Sequence, residues 1–410
     1  MACSWYGSIT EVRIVHIITR LILGGAQENT LLTVEELHHR YKDNVTLITG
    51  PPIGPEGSLL ERAERQGLDV RLVDALRRSI HPWRDWVAFR SLVRLLRELR
   101  PEVVHTHSSK AGVLGRAAAA KVGVPVVVHT VHGPPFHEYE SWWRNRLYIA
   151  AERWAARRTT AFISVSDAMT DRFVSAGVAP REKFTTIYSG MEIEPFRTPR
   201  RPRELVRREL GYGDCEVVIG KIARLFELKG HDDVIDAARQ VVPHCPQARF
   251  LFVGDGILRR SLAERVAAAG LEKHFQFTGL VPPERVAELI HAMDIVVHCS
   301  LREGLARVLP QALIAGRPVI SYDVDGAREV VLPERTGVLL PPRSIDLLAQ
   351  SLKRLIEDAA LRTRWGQEGQ RLFTDQFRHD RMTDQIRRLY EATSQSVRLG
   401  RELPNQPGAW

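Results

Sequence analysis

Two cations and a carboxylate are the groups in this chain whose spacing most readily suggests chemistry. Arg224 and Lys229 stand five apart in IARLFELKG (222–230), directly after a run of strand-like composition. At the carboxyl end of a strand such a pair can bracket a diphosphate, Arg through its bidentate fork and Lys as a point charge. Glu303 follows a second strand-like run, DIVVHC (294–299), and a short loop. Gln311 comes eight positions later, on a segment of helical composition that Gly316, Arg317 and Pro318 bring to a stop. A carboxylate just before a helix can face ligand hydroxyls, while the helix N-terminus favours phosphate. If the helix runs through, positions 303 and 311 lie about two turns apart and can look at one extended ligand.

Residues 303–320, EGLARVLPQALIAGRPVI, resemble the retaining, nucleotide-sugar-dependent glycosyltransferases of family 4. That signature is Glu, seven residues, Glu, then a small-residue helix and Gly-x-Pro-Val. The first acid and the GRPV ending are present here, and Gln311 stands where the second acid is expected. The resemblance implies that Arg224 and Lys229 hold the donor diphosphate and stabilise the leaving nucleotide. It also implies that Glu303, with Gly304 and Leu305 in its loop, anchors sugar hydroxyls, and that Gln311 takes the ribose. Gln is nearly isosteric with Glu and its carbonyl still accepts, so the expected cost is about 1 kcal/mol of nucleotide affinity. In FTGLV (277–281) the family reads the base with backbone groups, which places Leu280 and Val281 near it. Pro282 and Pro283 follow, with no acid to satisfy guanine, so a UDP-sugar is favoured over a GDP-sugar.

The first half carries further candidates. LILGGAQENTLL (21–32) reads as strand, glycine pair and helix, and Gly24 and Gly25 leave room for phosphate near the helix N-terminus. In the family this loop lies against donor diphosphate and acceptor, which makes Gln27 an acceptor contact. HTHSSKAG (105–112) ends a strand with His105 and His107, and no third metal ligand has recognisable spacing. Polar groups lining a cleft are the favoured reading, with Ser108, Ser109 and Lys110 meeting an acceptor phosphate. HTVHGPPF (129–136) puts His132 at a turn, where the family's histidine faces the donor sugar from the N-terminal domain. DVDG (323–326) reads as a turn rather than a metal motif, so no metal and no cofactor is expected. VGDG (253–256) likewise reads as a turn, and without Gly-x-Gly-x-x-Gly a nicotinamide site has no support.

These groups need elements to hold them. β-Branched runs at Val12–Ile18, Val45–Ile48, Val70–Val73, Val103–His105, Val124–His129 and Ala161–Val165 alternate with amphipathic stretches. After TPRRPRE (198–204), a proline- and arginine-rich linker candidate, a second alternating series extends to residue 358. Alternation of this kind predicts parallel α/β sheets whose carboxyl ends bind ligands. The resemblance supplies the architecture: two Rossmann-like domains facing each other across a cleft, the GT-B arrangement. The expected domains are 1–198 on the acceptor side, 199–378 for the nucleotide sugar, a helix at 379–398 crossing back to the first domain, and a tail at 399–410.

At 410 residues, 44% hydrophobic and 26% charged, the chain has the size and balance of a two-domain globular enzyme. Cys3, Cys215, Cys245 and Cys299 are scattered, which argues against a disulfide framework or zinc site and fits a reducing cytoplasm. Ile14–Leu23 is broken by Arg20 and ended by Gly24, so a first buried strand is expected rather than a signal peptide. The net charge of +9 suits nucleotide diphosphates, a phospholipid surface or nucleic acid, but it is spread too evenly to single out nucleic acid. WWRNRLYIAAERWAARR (142–158) lines Trp143, Leu147, Ala150, Ala151 and Trp154 along one face. Core packing is the favoured reading of that face, and peripheral contact with the cytoplasmic leaflet is the alternative. The expected function is hexosyl transfer from a nucleotide diphosphate sugar to an acceptor hydroxyl, on a lipid-linked saccharide or lipid of envelope or exopolysaccharide assembly. The rivals are a non-hydrolysing sugar-nucleotide epimerase of the same fold and a catalytically silent or nucleic-acid-binding protein.

Overall fold

The computed structural model describes residues 11–54 and 57–400. Cys3 and positions 401–410 of the expected tail lie outside them. The chain divides into two compact units, one of Met1–Met191 with His379–Trp410 and the other of Glu192–Arg378.

The first unit is built on seven parallel strands: β1 (Arg13–Ile18), β2 (Asn44–Thr49), β3 (Asp69–Leu72), β4 (Val103–His107), β5 (Val126–Val131), β6 (Ala161–Ser164) and β7 (Phe184–Thr186). Their order is β3-β2-β1-β4-β5-β6-β7. Every residue of β4 and β5 is buried, and β1 exposes only Arg13, as expected for strands covered on both faces. The register sets His16 beside His105 and His107 beside Thr130. Because alternate residues of a strand share a face, His105 and His107 lie on the same side of the sheet.

The last helix, His379–Arg398, completes this unit. Met382, Ile386 and Tyr390 join the cluster of Ile14, Leu31, Leu37 and Leu47 on one face of the sheet. Arg387 donates from Nε to Asp43 Oδ2 at 2.8 Å, and Asp43 also accepts from the Val12 N–H at 3.1 Å. Both partners are almost wholly buried, so the ion pair sits where water cannot replace either charge.

The second unit holds six parallel strands: β8 (Val217–Ile222), β9 (Ala248–Val253), β10 (Phe275–Phe277), β11 (Ile295–His298), β12 (Val319–Tyr322) and β13 (Gly337–Leu340), in the order β10-β9-β8-β11-β12-β13. Each sheet reverses direction once, between β1 and β4 in the first and between β8 and β11 in the second. At such a switch point the loops leaving two neighbouring strands diverge and open a ligand crevice. Both units are therefore Rossmann-like.

Residues 198–202 of the stretch read as a linker lie in no helix or strand; helix Arg203–Glu209 begins at its end, and Arg203 bridges the carbonyls of His291 and Met293 and the Asp294 carboxylate. One sequence expectation changes here. The aromatic face of helix Trp142–Ala156 is not core. Trp143 is 53% exposed, Leu147 55% and Trp154 43%, while the helix packs through Ala155, Ala156 and a buried Glu152–Arg116 ion pair. Small residues and a buried charge pair fix its inner side, which turns the large apolar side chains outward.

Removing Arg387 leaves the Asp43 carboxylate buried without its counter-charge. Arg387→Ala is expected to destabilise the first unit by about 3–5 kcal/mol. Urea unfolding would show the first unit's transition moved to lower denaturant with the second unit's unchanged; coincident shifts would mean that the two units unfold together.

Candidate active site

Three loops meet at the carboxyl ends of β8, β11 and β12. The loop after β8 approaches the loop after β11 through backbone contacts that the sequence must permit. Leu228 holds φ of +63° and its carbonyl accepts from the Leu301 N–H at 2.8 Å. Gly230 follows at φ +65°, and a Cβ there would stand 2.0 Å from the Cys299 carbonyl oxygen. Only glycine fits that position. The close approach brings Lys229 Nζ to 2.5 Å from Glu303 Oε1.

The third loop fixes the other side of Glu303. Its backbone N–H donates to Asp325 Oδ2 at 2.8 Å, and the Gly326 N–H donates to the Gly304 carbonyl at 3.1 Å. Beneath it, His298 Nε2 lies 3.6 Å from Glu303 Oε1. Burial alone would raise the Glu303 pKa, but His298 and the Lys229 ammonium more than offset it, so the carboxylate is held well below its ordinary range. Burial dominates for His298 itself and keeps its ring neutral despite the neighbouring carboxylate. The result is an ionised carboxylate with an ammonium at its side, at the switch point of a Rossmann-like sheet. Such a pair can accept ligand hydroxyls on one group and meet phosphate with the other.

Arg224 lies exposed on the same loop as Lys229, its guanidinium 5.1 Å from the Phe226 ring centroid. That loop is pinned by the Leu225 N–H to the Asp255 carbonyl and the Leu258 N–H to the Leu225 carbonyl, so VGDG acts as a brace for it. Leu305 is buried, whereas Leu280 is exposed; Leu280 and Val281 follow β10 at the sheet's edge. The helix expected to run from Glu303 through Gln311 begins only at Val308. Residues 303–304 spend their backbone groups on the loop after β12 instead, so Glu303 and Gln311 are not two turns of one helix.

In the first unit, Gly24 precedes helix Gly25–His39, and Gln27 Oε1 folds to 2.7 Å from where a Cβ of Gly24 would be. Ser108 takes φ of +64° at the start of helix Ser109–Val122. Lys110, expected to meet an acceptor phosphate, is paired with Asp85 at 2.5 Å and donates to the Ser79 carbonyl. His132 Nε2 is 3.1 Å from His107 Nδ1, and His107 Nε2 is 3.0 Å from His16 Nδ1.

Sequence reading missed two of these residues. His16 lies far from the His105–His107 pair along the chain and reaches it only through strand register. Asp325 was dismissed with its turn, although it orients Glu303. His16, His105 and His107 bring ring nitrogens within 4.8 Å of one another, the one group among the described residues with metal-ligand composition. Both nitrogens of His105 are already engaged, by Tyr390 and by Thr130, so the trio is arranged as a hydrogen-bonded chain. The Asp-x-Asp carboxylates are likewise committed: Asp323 is bidentate on Arg328, and Asp325 holds Glu303.

Comparison with known proteins agrees with this geometry. Residues 24–190 match the glycosyl transferase 4-like domain and residues 202–372 match the glycosyl transferases group 1 domain. Anabaena HepE, solved with UDP and glucose, superposes with a TM-score of 0.80 at 23% identity, covering 93% of this chain and all of that one. WaaG, a glycosyltransferase of lipopolysaccharide biosynthesis, gives 0.73 at 18%, with 92% and 99% covered. The fold is thus GT-B. Among curated relatives, an Escherichia coli UDP-Gal:α-D-GlcNAc-diphosphoundecaprenol α-1,3-galactosyltransferase is 29% identical over 86% of this chain and 90% of its own length. A Streptomyces fradiae 2-deoxystreptamine N-acetyl-D-glucosaminyltransferase is also 29% identical, over 82% and 83%. The chain belongs to the group 1 glycosyltransferases of family 4, and it is a glycosyltransferase.

The buried histidines make stability depend on pH. Burial lowers His16 to about 3, His231 to about 2 and His291 to about 4, and depresses His105, His107, His129 and His298 as well. The folded state excludes protons that the unfolded chain binds below about pH 6.5, so stability falls as pH drops through that value. Each such ring contributes up to about 1.4 kcal/mol per pH unit until its own folded pKa is reached. Glu303 adds loss in the same direction below the ordinary Glu pKa of 4.5. Urea midpoints at pH 7.5, 6.5 and 5.5 should fall over the first interval and fall more steeply over the second; an unchanged midpoint at pH 5.5 would contradict the assignment.

Proposed function

We propose that the chain transfers a hexosyl group, with retention of anomeric configuration, from a UDP-sugar to a hydroxyl of a lipid-linked saccharide. The Lys229–Glu303 pair at the β8–β11 switch point carries this reading. In the reaction, Glu303 accepts hydrogen bonds from donor-sugar hydroxyls, and Arg224 and Lys229 meet the negative charge that builds on the departing diphosphate. Gln311 holds the ribose, Leu280 and Val281 lie against the base, and Gly24 and Gly25 give the diphosphate room. His132 contacts the sugar. The acceptor hydroxyl attacks from the face that the leaving group vacates, and a phosphate oxygen takes its proton. This path uses no protein nucleophile, and the two cations supply the charge for which other transferases use a metal ion.

The choice of UDP rests on prolines rather than an acid at the two positions after Val281 and on the UDP-Gal donor of the E. coli relative. The lipid-linked acceptor has support in the surface chemistry of the first unit. A cavity of about 780 Å³ is lined by Arg20, Arg77, Arg78, Arg84 and Arg144 together with Ile80, Trp143 and Leu147. Arginine forks suit phosphate oxygens, and the exposed Trp142, Trp143 and Leu147 suit the acyl or isoprenoid part of an amphiphile. No helix among the described residues is long and apolar enough to cross a membrane. The arginine and aromatic surface supports a peripheral contact at the inner face of the cell membrane, with the enzyme in the cytoplasm. Gln27 and Ser108 are the polar groups assigned to the acceptor sugar. Lys110 is assigned with them, and its ammonium also pairs with Asp85.

Glu303→Gln removes the charge and keeps the shape. It is expected to lower kcat by about 100-fold with UDP-sugars while the protein stays folded; near wild-type turnover would reject the site. Activity should persist in EDTA, and the anomeric coupling of the product sugar in proton NMR should match that of the donor. For the acceptor, Arg78→Glu and Trp143→Ser should weaken binding to vesicles bearing a polyprenyl-diphosphate saccharide and leave UDP affinity unchanged. Equal loss of UDP binding would mean that the variants disturb the fold.

A further inference from the structure

Within electrostatic reach of the Lys229–Glu303 pair, the second unit buries another ammonium. Lys221, next to last in β8, is 1% exposed. The register pairs it with Phe252 of β9. On the other side, Gly220 lies beside Val296, which sets Lys221 next to Val297 of β11. Phe252, Val297 and Cys299 belong to the apolar cluster of the second unit. Strand positions covered on both faces are ordinarily filled by Val, Ile or Leu. Here the sequence places a lysine.

Among the described residues, Lys221 Nζ has no hydrogen-bond partner, and neither ring nitrogen of the buried His231 has one. The His231 ring stands edge-on to Phe252, with centroids 5.3 Å apart. Burial, reinforced by the Lys221 and Lys229 charges, lowers its pKa to about 2, so it is a neutral neighbour. The nearby carboxylates are engaged elsewhere: Asp233 Oδ2 accepts from the Tyr322 hydroxyl at 2.7 Å, and Glu303 Oε1 meets Lys229 at 2.5 Å. Burial lowers the Lys221 pKa, with Lys229 acting in the same direction, whereas Cys299, Asp233 and Glu303 favour the charged form. An ammonium that has lost its hydration without gaining a hydrogen bond is costly, and packing alone would select against it.

The use of such a charge follows from its surroundings. Lys229 and Glu303 are so close that, seen from a distance, the pair is nearly neutral. A diphosphate gathering charge as its sugar departs gains little net attraction from the pair as a whole. A charge in a water-excluded interior acts on it through space, without contact. We propose that Lys221 is a third cation of the transfer site, held inside the sheet where no hydrogen-bonding partner takes up its charge, and that it stabilises the diphosphate most strongly once the sugar has left. This rests on the reading of the Lys229–Glu303 pair as the nucleotide-sugar site. Lys221 touches no substrate and moves no proton.

Lys221→Met tests this, because it removes the charge and nearly keeps the shape. Two results are expected together. The second unit's urea midpoint rises, since an unpaired buried charge has gone. Nucleotide binding weakens in step with ligand charge. At pH 7.5 UDP carries about one more negative charge than a UDP-sugar, because its terminal phosphate is then doubly ionised. Calorimetry should therefore show UDP-sugar affinity reduced about tenfold and UDP affinity about thirtyfold. Equal losses for the two ligands, or a lowered midpoint, would make Lys221 a structural residue and overturn the inference. A raised midpoint with unchanged affinities would overturn it too. Lys221→Gln, read by the affinities alone, serves if Lys221→Met does not fold. Lys229→Met separates the inference from the reading beneath it. UDP binding lost in Lys229→Met but kept in Lys221→Met fails the inference alone, whereas UDP affinity unchanged in both fails the reading of the site.

Discussion

An ammonium and a carboxylate 2.5 Å apart, Lys229 and Glu303, set the demands that the second unit is built to meet. Neither group would hold its place from its own loop. Lys229 needs Leu228 and Gly230 in left-handed conformations so that the chain can pass within contact distance of Cys299. Glu303 needs Asp325 on its N–H and Gly326 on the next carbonyl. These loops leave β8, β11 and β12, which are neighbours only because the sheet order is β10-β9-β8-β11-β12-β13. Topology brings the loop ends together, and backbone hydrogen bonds between the loops then set the side chains to within a fraction of an ångström.

The pair is not there for stability. An ion pair whose members keep about a fifth of their surface accessible gains modestly from its own attraction, and much of that gain offsets desolvation. What the pairing achieves, against the effect of burial, is a carboxylate held ionised well below the ordinary Glu range. For a group that must accept hydroxyl hydrogen bonds, constant charge is the useful property. Lys221, His231 and His298 surround the same floor and are themselves buried without hydrogen-bond partners for several polar atoms, an expensive arrangement that a purely structural core would avoid.

Much of this was legible in the sequence, for definable reasons. Strand and helix alternation is a local signal, and the runs read from β-branched residues fall on β1 to β6 within a few positions. Arg224, Lys229 and Glu303 were found because their residue types and spacing match a family pattern, and Lys229 and Glu303 do meet. Long-range pairing was the part that could not be read. His16 joins His105 through the β1–β4 register, and nothing near position 16 announces it. Tyr390 reaches the same cluster from the last helix, and Asp325 reaches Glu303 from a turn that looked complete by itself. The pairing of Lys110 with Asp85 is another long-range contact that no local signal announces. The Trp143 face failed for a different reason: helical periodicity shows that apolar residues share a side, not which side faces inward. Glu152 decides that, because its buried pairing with Arg116 anchors the opposite surface.

Gln311 remains the departure from the family pattern, and the local structure says what kind of departure it is. The helix that carries it starts at Val308 and spans only seven residues, with Pro310 in its first turn. Gln311 thus lies near the helix N-terminus, where a carboxylate would be favoured by the helix dipole. Glutamine gives up that stabilisation and the stronger charged acceptor together. In return the amide adds a donor, so a ribose hydroxyl can be bound as acceptor or as donor. On the proposed reading of Gln311 as the ribose contact, the exchange changes how firmly the nucleotide is held, while Glu303 and Lys229 are fixed by contacts in which residue 311 takes no part.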